Sequence, residues 1–416
     1  MSDASSAFTP ITLGPLALRN RFIKSATNEA MARHGRPTRA LVEHHRRLAA
    51  GGVGLTTVAY LAVAEVGRSL PDQVWMRREI LPDLRALTDA VHAEGGAISA
   101  QLTHGGSFVT GMRVRGRTQS ASSGFNPAGL LKGNLLQRAM TEDDMTAVTE
   151  EFVAAARLAR EAGFDAVELH MGHGYLLNQF ISPLSNRRRD DHGGNAANRV
   201  RFPARVLAAV KAAVGEELAV LAKINVADGV RRGATVEDAI VTARALEAAG
   251  ADLLVLSGGR NVESTSFMFG SNLNLEAFGE VLKDDRLSLA ALRMAAKRAP
   301  RVSFRELYFL EHSRRIRAAV DLPLAYLGGA RSLSNVADLM ADGFECVAMA
   351  RPLLHDPALV DKFARGVRTE SGCDNCNGCV AYIYHPAGLW CVKHPPNDAR
   401  LNTLPAASGD REAVSA

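Results

Sequence analysis

Along the 416 residues, apolar positions gather into short runs separated by longer amphipathic stretches. Runs of four to eight mostly apolar residues fall at 21–25, 54–59, 97–102, 166–170, 219–225, 253–257, 324–327 and 346–350, lengths that suit strands buried on both faces. Between them lie stretches such as 81–94, 143–162, 200–214, 236–249 and 336–341, whose mixture of alanine, leucine and charge suits helices with one apolar stripe. One phrase recurs where helix gives way to strand: "EAGFDAVEL" (161–169), "AAGADLLVL" (248–256), "ADGFECVAM" (341–349) and, more loosely, "AAGGVGLTTVA" (49–59). Each reads as a helix end, a glycine at the C′ position and a buried strand. Strands alternating with helices eight times predict an α/β protein built as a (β/α)8 barrel. A doubly wound sheet uses the same alternation, but no G-x-G-x-x-G follows the first strand, and polar clusters follow many strands instead of one.

The same pattern sets the organisation. The barrel is expected over 8–366, with a long insertion after strand six, 260–302, able to form a lid. A cysteine-rich extension over 367–395 is expected to pack on the barrel, and the Pro-, Ala- and Gly-containing tail over 396–416 lacks an apolar period and is expected to be disordered.

Apolar residues at 47% and charged residues at 22% describe a globular chain with enough apolar surface for a large core. The formal charge is only +5, from 49 basic and 44 acidic residues spread along the chain, which argues against a nucleic-acid partner and for a small-molecule one. The first eight residues are short and polar, unlike a signal peptide, and no run is apolar enough to span a bilayer. A cytoplasmic setting with reduced cysteines follows as the expectation, and a homo-oligomer is left open.

In a barrel, the loops after the strands converge on one mouth, so the chemistry is sought there. Strand four ends in "ELHMGHGYLL", which places His170, His173 and Tyr175 together. Two histidines three apart are compatible with zinc, with a hydrogen-bonded polar core, or with joint donation to one carbonyl or phenolate oxygen. A phenol with an ordinary pKa of about 10 stays protonated at neutral pH, so Tyr175 suits a general acid. Strand three ends in "QLTHGG", where Gln101 could read the amide edge of a ring and His104 stands nearby. Strand five ends in "AKINVAD", and its buried Lys223 needs either an acidic partner across the barrel or a ligand carrying negative charge. After strands seven and eight come "LGGARS" and "AMARPLL", the loops that commonly hold phosphate in barrels. Together these ends describe a site for flavin mononucleotide (FMN).

The chain resembles the Old Yellow Enzyme family of FMN-dependent ene-reductases, in the branch of NADH:flavin oxidoreductases. The resemblance runs from about residue 8 to 391 and is most specific in "EAGFDAVELHMGHGYLLNQFISPLSNRRRDDHGGNAANRVRF", with "LGPLALRNRFIKSA", "SAQLTHGG", "LSGG", "YLGGARS" and "ARPLLHDP" in support. It implies that Ala26, Asn28, Tyr60 and Gln101 lie along the flavin ring with Lys223, and that Gly328, Gly329, Ala350 and Arg351 hold the phosphate. It also implies that His170 and His173 grip the carbonyl oxygen of an α,β-unsaturated substrate, with Tyr175 as proton donor and NAD(P)H as the reductant. Asn28 stands where many relatives carry Thr or Cys, and Lys223 stands in place of a more common arginine.

Four of the five cysteines fall in "CDNCNGCVAYIYHPAGLWC": Cys373, Cys376, Cys379 and Cys391. Such density suggests a metal site, and four thiolates suit either zinc or a [4Fe–4S] cluster. The spacing resembles the iron–sulfur segment of larger relatives, the dienoyl-CoA reductases and trimethylamine dehydrogenases, with one residue fewer between the second and third cysteine. A relic or structural thiol set is the other reading, and Cys346 is expected in the core. Competing functions are a flavin-dependent dehydrogenase or demethylase using the cysteine site, a metal-dependent barrel hydrolase using His170 and His173, and a flavin carrier without turnover.

Overall fold

The computed structural model describes residues 3–109, 118–126, 134–298, 301–395 and 399–407. Eight parallel strands close into a barrel: β1 (Phe22–Lys24), β2 (Leu55–Ala62), β3 (Ala97–Thr103), β4 (Ala166–Met171), β5 (Ala219–Asn225), β6 (Leu253–Ser257), β7 (Leu324–Leu327) and β8 (Cys346–Met349). Each pairs with its neighbours in sequence order, and β8 closes on β1 through Val347, Ala348 and Met349 against Phe22, Ile23 and Lys24. The chain is therefore a (β/α)8 TIM barrel, with the strands where the apolar runs placed them. The principal barrel helices are α1 (Arg39–Ala50), α2 (Leu81–His92), α3 (Glu142–Glu161), α4 (Ala196–Val214), α5 (Val236–Ala248), α6 (Leu310–Arg317), α7 (Leu333–Ala341) and α8 (Leu359–Ala364).

The alternation of side chains along each strand divides the interior into two layers. On β4 and β5, Val167, Leu169, Val220, Ala222 and Ile224 face the helices and join the larger apolar core. Ala166, Ala219 and Leu221 face the barrel axis with Ile23, Leu55, Val255 and Cys346. An antiparallel hairpin, Ile11–Leu13 with Leu16–Leu18, plugs the amino-terminal end with Leu13, Leu16 and Leu18. This end of the barrel is apolar and sealed. Continuing the same inward register toward the carboxyl ends brings Glu168, His170, Lys223 and Asn225 to the other end, so the polar residues collect at one mouth.

The insertion after β6 contains three helices, Thr265–Phe269, Leu275–Val281 and Arg286–Arg298. Its middle helix packs Ala277 and Phe278 against Ala381 of the cysteine-rich extension. Of the carboxy-terminal tail, residues Ala399–Thr403 form a 3-10 turn, and buried Asn402 accepts a hydrogen bond from Thr38 at 3.0 Å and donates to the carbonyl of Pro386 at 2.8 Å. Residues 396–398 and 408–416 of that expected tail lie outside the described residues. No helix among the described residues is long and apolar enough to cross a membrane.

Candidate active site

The segment after β4 is held by backbone capping more than by secondary structure. His173 adopts φ +61°, a left-handed conformation that costs a non-glycine residue on the order of 1 kcal/mol. Its N–H donates to Asn225 Oδ1 at 3.1 Å, and its carbonyl accepts from Asn261 N–H at 3.1 Å. Gly174 N–H donates to Asn178 Oδ1 at 2.9 Å, and the same oxygen accepts from Arg260 Nη1 at 3.2 Å. These contacts from β5, the β6 loop and the following short helix over-determine the loop, which is how a strained residue persists.

The loop brings buried His170 and Tyr175 and half-buried His173 into one aromatic group. The ring of His170 lies 4.6 Å from that of Tyr175 and 5.0 Å from that of His173, and Tyr60 lies 5.3 Å from Tyr175. Gly172 N–H donates to His170 Nδ1 at 3.3 Å. Burial holds the His170 pKa well below its ordinary value, with His173 and Lys223 adding to the effect, so the ring is neutral and its remaining proton is on Nε2. His170 is thus a neutral hydrogen-bond donor. Burial, aided by Lys223, lowers His173 to about 3, and its Nε2 lies 2.8 Å from Ser257 Oγ. Burial pushes the Tyr175 phenol well above its ordinary range, with Tyr60 acting in the same direction, so it keeps its proton at neutral pH.

Beneath this group lies a buried charged layer. Gln101 Nε2 donates to Glu168 Oε1 at 2.6 Å, and Lys223 Nζ lies 3.2 Å from the same oxygen. Lys223 also donates to Ser25 Oγ at 3.1 Å and to the Ala26 carbonyl at 3.4 Å. The lysine therefore has its acidic partner on the adjacent strand β4, not across the barrel as expected, and its ammonium crosses the barrel to reach Ser25 and the wall formed by Ala26. Asn28 bridges Ala59, next to Tyr60, so the ends of β1 and β2 form one continuous wall. Behind that wall the buried Lys24 ammonium pairs with Glu29, donates to the Thr57 carbonyl at 3.1 Å, and Glu29 accepts from Ala59 N–H at 3.0 Å.

At the opposite rim, Gly328 and Gly329 take φ +143° and +82°. A Cβ on Gly328 would come within 2.8 Å of the Phe309 ring, and one on Gly329 within 3.0 Å of the Leu307 backbone nitrogen, so only glycine fits this turn. Ala350 and Arg351 follow β8 alongside it. The Arg351 side chain, however, donates to Asn377 Oδ1 at 2.5 Å and to the Phe269 carbonyl at 2.9 Å. The donor set fits FMN: an amide and a cation at the ring wall, and side-chain-free backbone at the far rim.

The four cysteines of the extension line one pocket together with Arg351, His355, Asp374, Asn377 and Lys393. His355 Nδ1 lies 3.5 Å from Cys391 Sγ, and burial pushes the Cys379 thiol up to about 12. Among the described residues, Glu29, His44 and His45 are the group whose three ligand atoms lie within 4.8 Å of one another. Lys24 already neutralises Glu29 there, so that cluster reads as a polar core. Cys346 is fully buried on β8.

Sequence reasoning did not anticipate Ser257, Asn225, Asn178, Arg260 or the Lys24–Glu29 pair. Ser257 and Asn225 were visible as polar residues closing apolar strands, but their partners are not implied by any spacing.

A closed parallel barrel whose buried tyrosine, amide, cation and glycine turn collect at one mouth is an arrangement compatible with a flavin-dependent oxidoreductase. Residues 6–267 match the NADH:flavin oxidoreductase / NADH oxidase family. The chain belongs to that family, the Old Yellow Enzyme family, and is an FMN-dependent NAD(P)H oxidoreductase. It is 39% identical over 391 residues to a 4,4'-dithiodibutanoate disulfide reductase of Rhodococcus erythropolis, covering 93% of this chain and 94% of that one. It is 28% identical over 408 residues to a metal reductase of Desulforamulus reducens, covering 97% of this chain and 56% of that longer protein. The Old Yellow Enzyme homologue of Zymomonas mobilis superposes with a TM-score of 0.68 at 22% identity, covering 89% of this chain and 96% of the other, a likeness of fold.

Proposed function

We propose that the protein reduces an α,β-unsaturated carbonyl compound with NAD(P)H, using His170 and His173 on the carbonyl oxygen and Tyr175 as the proton donor. The observation that carries this reading is geometric: the buried ring of His170, whose Nδ1 accepts from Gly172 N–H, lies 4.6 Å from the buried ring of Tyr175. Ala26, Asn28, Tyr60, Gln101 and Lys223 would hold the FMN ring, and Gly328, Gly329, Ala350 and Arg351 its phosphate end. When bound, FMN supplies the hydride that NAD(P)H has provided. His170 donates to the oxygen on which negative charge develops, a contact whose loss typically slows such reactions about 10²–10³-fold. Tyr175 keeps its proton because burial disfavours the phenolate, and it releases that proton only to the carbon becoming basic in the bound substrate.

Rapid mixing of Tyr175→Phe tests the assignment. Flavin reduction by NAD(P)H should persist, while reoxidation by cyclohex-2-enone should slow about 10²-fold or more. If neither half-reaction changes, Tyr175 is not the donor.

Near full-length identity to a disulfide reductase favours a second reading, reduction of an organic disulfide at the same rim. One disulfide, one NAD(P)H and one proton would then yield two thiols, with Tyr175 protonating the departing sulfur. Parallel assays of NAD(P)H oxidation with cyclohex-2-enone and with 4,4'-dithiodibutanoate separate the two.

The pocket of Cys373, Cys376, Cys379 and Cys391 offers four sulfurs that suit either an iron–sulfur cluster or zinc. A cluster there would supply one-electron transfer. Iron and sulfide analysis with the visible spectrum tests this directly.

A further inference from the structure

His355 ends the short helix after β8, Arg351–His355, and its side chain lines the pocket of Cys373, Cys376, Cys379 and Cys391. A Cβ on Gly372 would meet His355 Nε2 at 2.5 Å, so the residue just before the first of these cysteines leaves the imidazole its space. The ring of His394 packs against that of His355 at 4.5 Å between centres. His394 is itself set by a turn, its N–H donating to the Cys391 carbonyl at 2.8 Å. Lys393 donates to Asp374 Oδ2 at 2.6 Å, which ties the segment carrying Cys391 to the loop carrying the other three cysteines. The imidazole therefore stands where three segments meet: the helix after β8, the start of the thiol loop and the turn that closes it.

In this frame His355 Nδ1 lies 3.5 Å from Cys391 Sγ. A thiol and an imidazole can share a hydrogen in either sense, but a cysteine that ligates a metal is a thiolate, with lone pairs alone to offer. With Cys391 as a ligand, the hydrogen must sit on Nδ1. A donor to a ligating sulfur stabilises the more negative, reduced state of a cluster more than the oxidised one.

We propose that His355 is a positioning residue of the thiol pocket, donating from Nδ1 to the Cys391 sulfur and so raising the reduction potential of an iron–sulfur cluster held by the four cysteines. The inference rests on the reading that the pocket holds such a cluster and not zinc, and it is independent of the substrate reduced at the flavin site. The electron comes from FMN reduced by NAD(P)H. On that one-electron step the imidazole keeps its proton, and only its hydrogen bond strengthens.

His355→Phe and His355→Asn test it on the purified full chain with its flavin. Phenylalanine keeps a ring against His394 without a donor, and the amide nitrogen of asparagine restores a donor near the position of Nδ1. Iron and acid-labile sulfide are measured first, then the midpoint potential by dithionite titration followed by electron paramagnetic resonance of the reduced cluster. The expected result is wild-type iron and sulfide in both variants. In His355→Phe the reduction equilibrium should be about tenfold less favourable, which for one electron is about 59 mV, and His355→Asn should recover most of that shift. A normal iron content with an unmoved potential in His355→Phe overturns the role of His355 alone. Loss of about half the iron or more in both variants makes the imidazole a ligand and overturns the proposal as well. Wild-type protein that carries zinc, or neither iron nor sulfide, overturns the cluster reading and this role with it. His355→Leu decides the same question if His355→Phe does not fold.

Discussion

His173 Nε2 lies 2.8 Å from the hydroxyl oxygen of Ser257, over the end of the strand that separates β4 from β6. The contact sets the orientation of an imidazole whose backbone is already strained, and it comes from a residue 84 positions away in the chain. Ser257→Ala should lower kcat/KM for a carbonyl substrate about tenfold, the scale expected for losing a buried hydrogen bond of roughly 1–1.5 kcal/mol. FMN content should be unchanged, and Ser257→Thr should recover most of the loss. Steady-state kinetics on the three proteins checks this.

The Lys24–Glu29 pair is buried on both sides and also fastens the backbone of Thr57 and Ala59. Glu29→Ala leaves an ammonium without its partner, and a loss of about 3–5 kcal/mol in unfolding free energy is expected. The double variant Lys24→Met/Glu29→Met removes both charges and should be distinctly less destabilised than Glu29→Ala. Urea denaturation followed by circular dichroism measures the difference.

Several buried histidines are neutral in the fold, and this fixes the sign of an acid effect. Burial lowers His104 to about 4 and, with Lys223, lowers His173 to about 3, whereas both return to about 6.5 when unfolded. The unfolded chain therefore binds more protons below pH 6.5, and stability present above that value is lost as pH falls toward the folded pKa values. Each of these two residues should remove about 2 kcal/mol between pH 8 and pH 5. His104→Gln should flatten that slope, which denaturant titrations at pH 8, 6.5 and 5 would reveal.

Gly329 takes φ +82°, and a Cβ there would approach the Leu307 backbone nitrogen at 3.0 Å. Gly329→Ala should therefore strain the turn by about 1–2 kcal/mol and displace the rim. The protein is expected to retain its barrel by circular dichroism but to purify with less bound FMN, read from the ratio of flavin to protein absorbance.

Much of the architecture was legible because it depends on local pattern. Gly163, Gly250 and Gly343 each stand at positive φ between a helix and the following strand, as the recurring phrase requires. The eight apolar runs became the eight barrel strands because a strand buried on both faces needs an almost continuous apolar stretch. The cluster of His170, His173 and Tyr175 was also readable, since all three lie within six residues on one strand end. The N-terminal plugging hairpin was not anticipated, because two three-residue strands carry too little periodicity to stand out from loop.

By itself, then, the sequence determined the alternation of strand and helix and the polar ends that would face one mouth. The tertiary structure alone decided which polar tips meet: Ser257 with His173, Glu168 with Lys223, Asn377 with Arg351. The reason is physical. Apolar burial follows from periodicity and is non-directional, whereas a hydrogen bond needs two particular atoms within about 3 Å, and closing the barrel is what sets those distances between residues far apart in the chain.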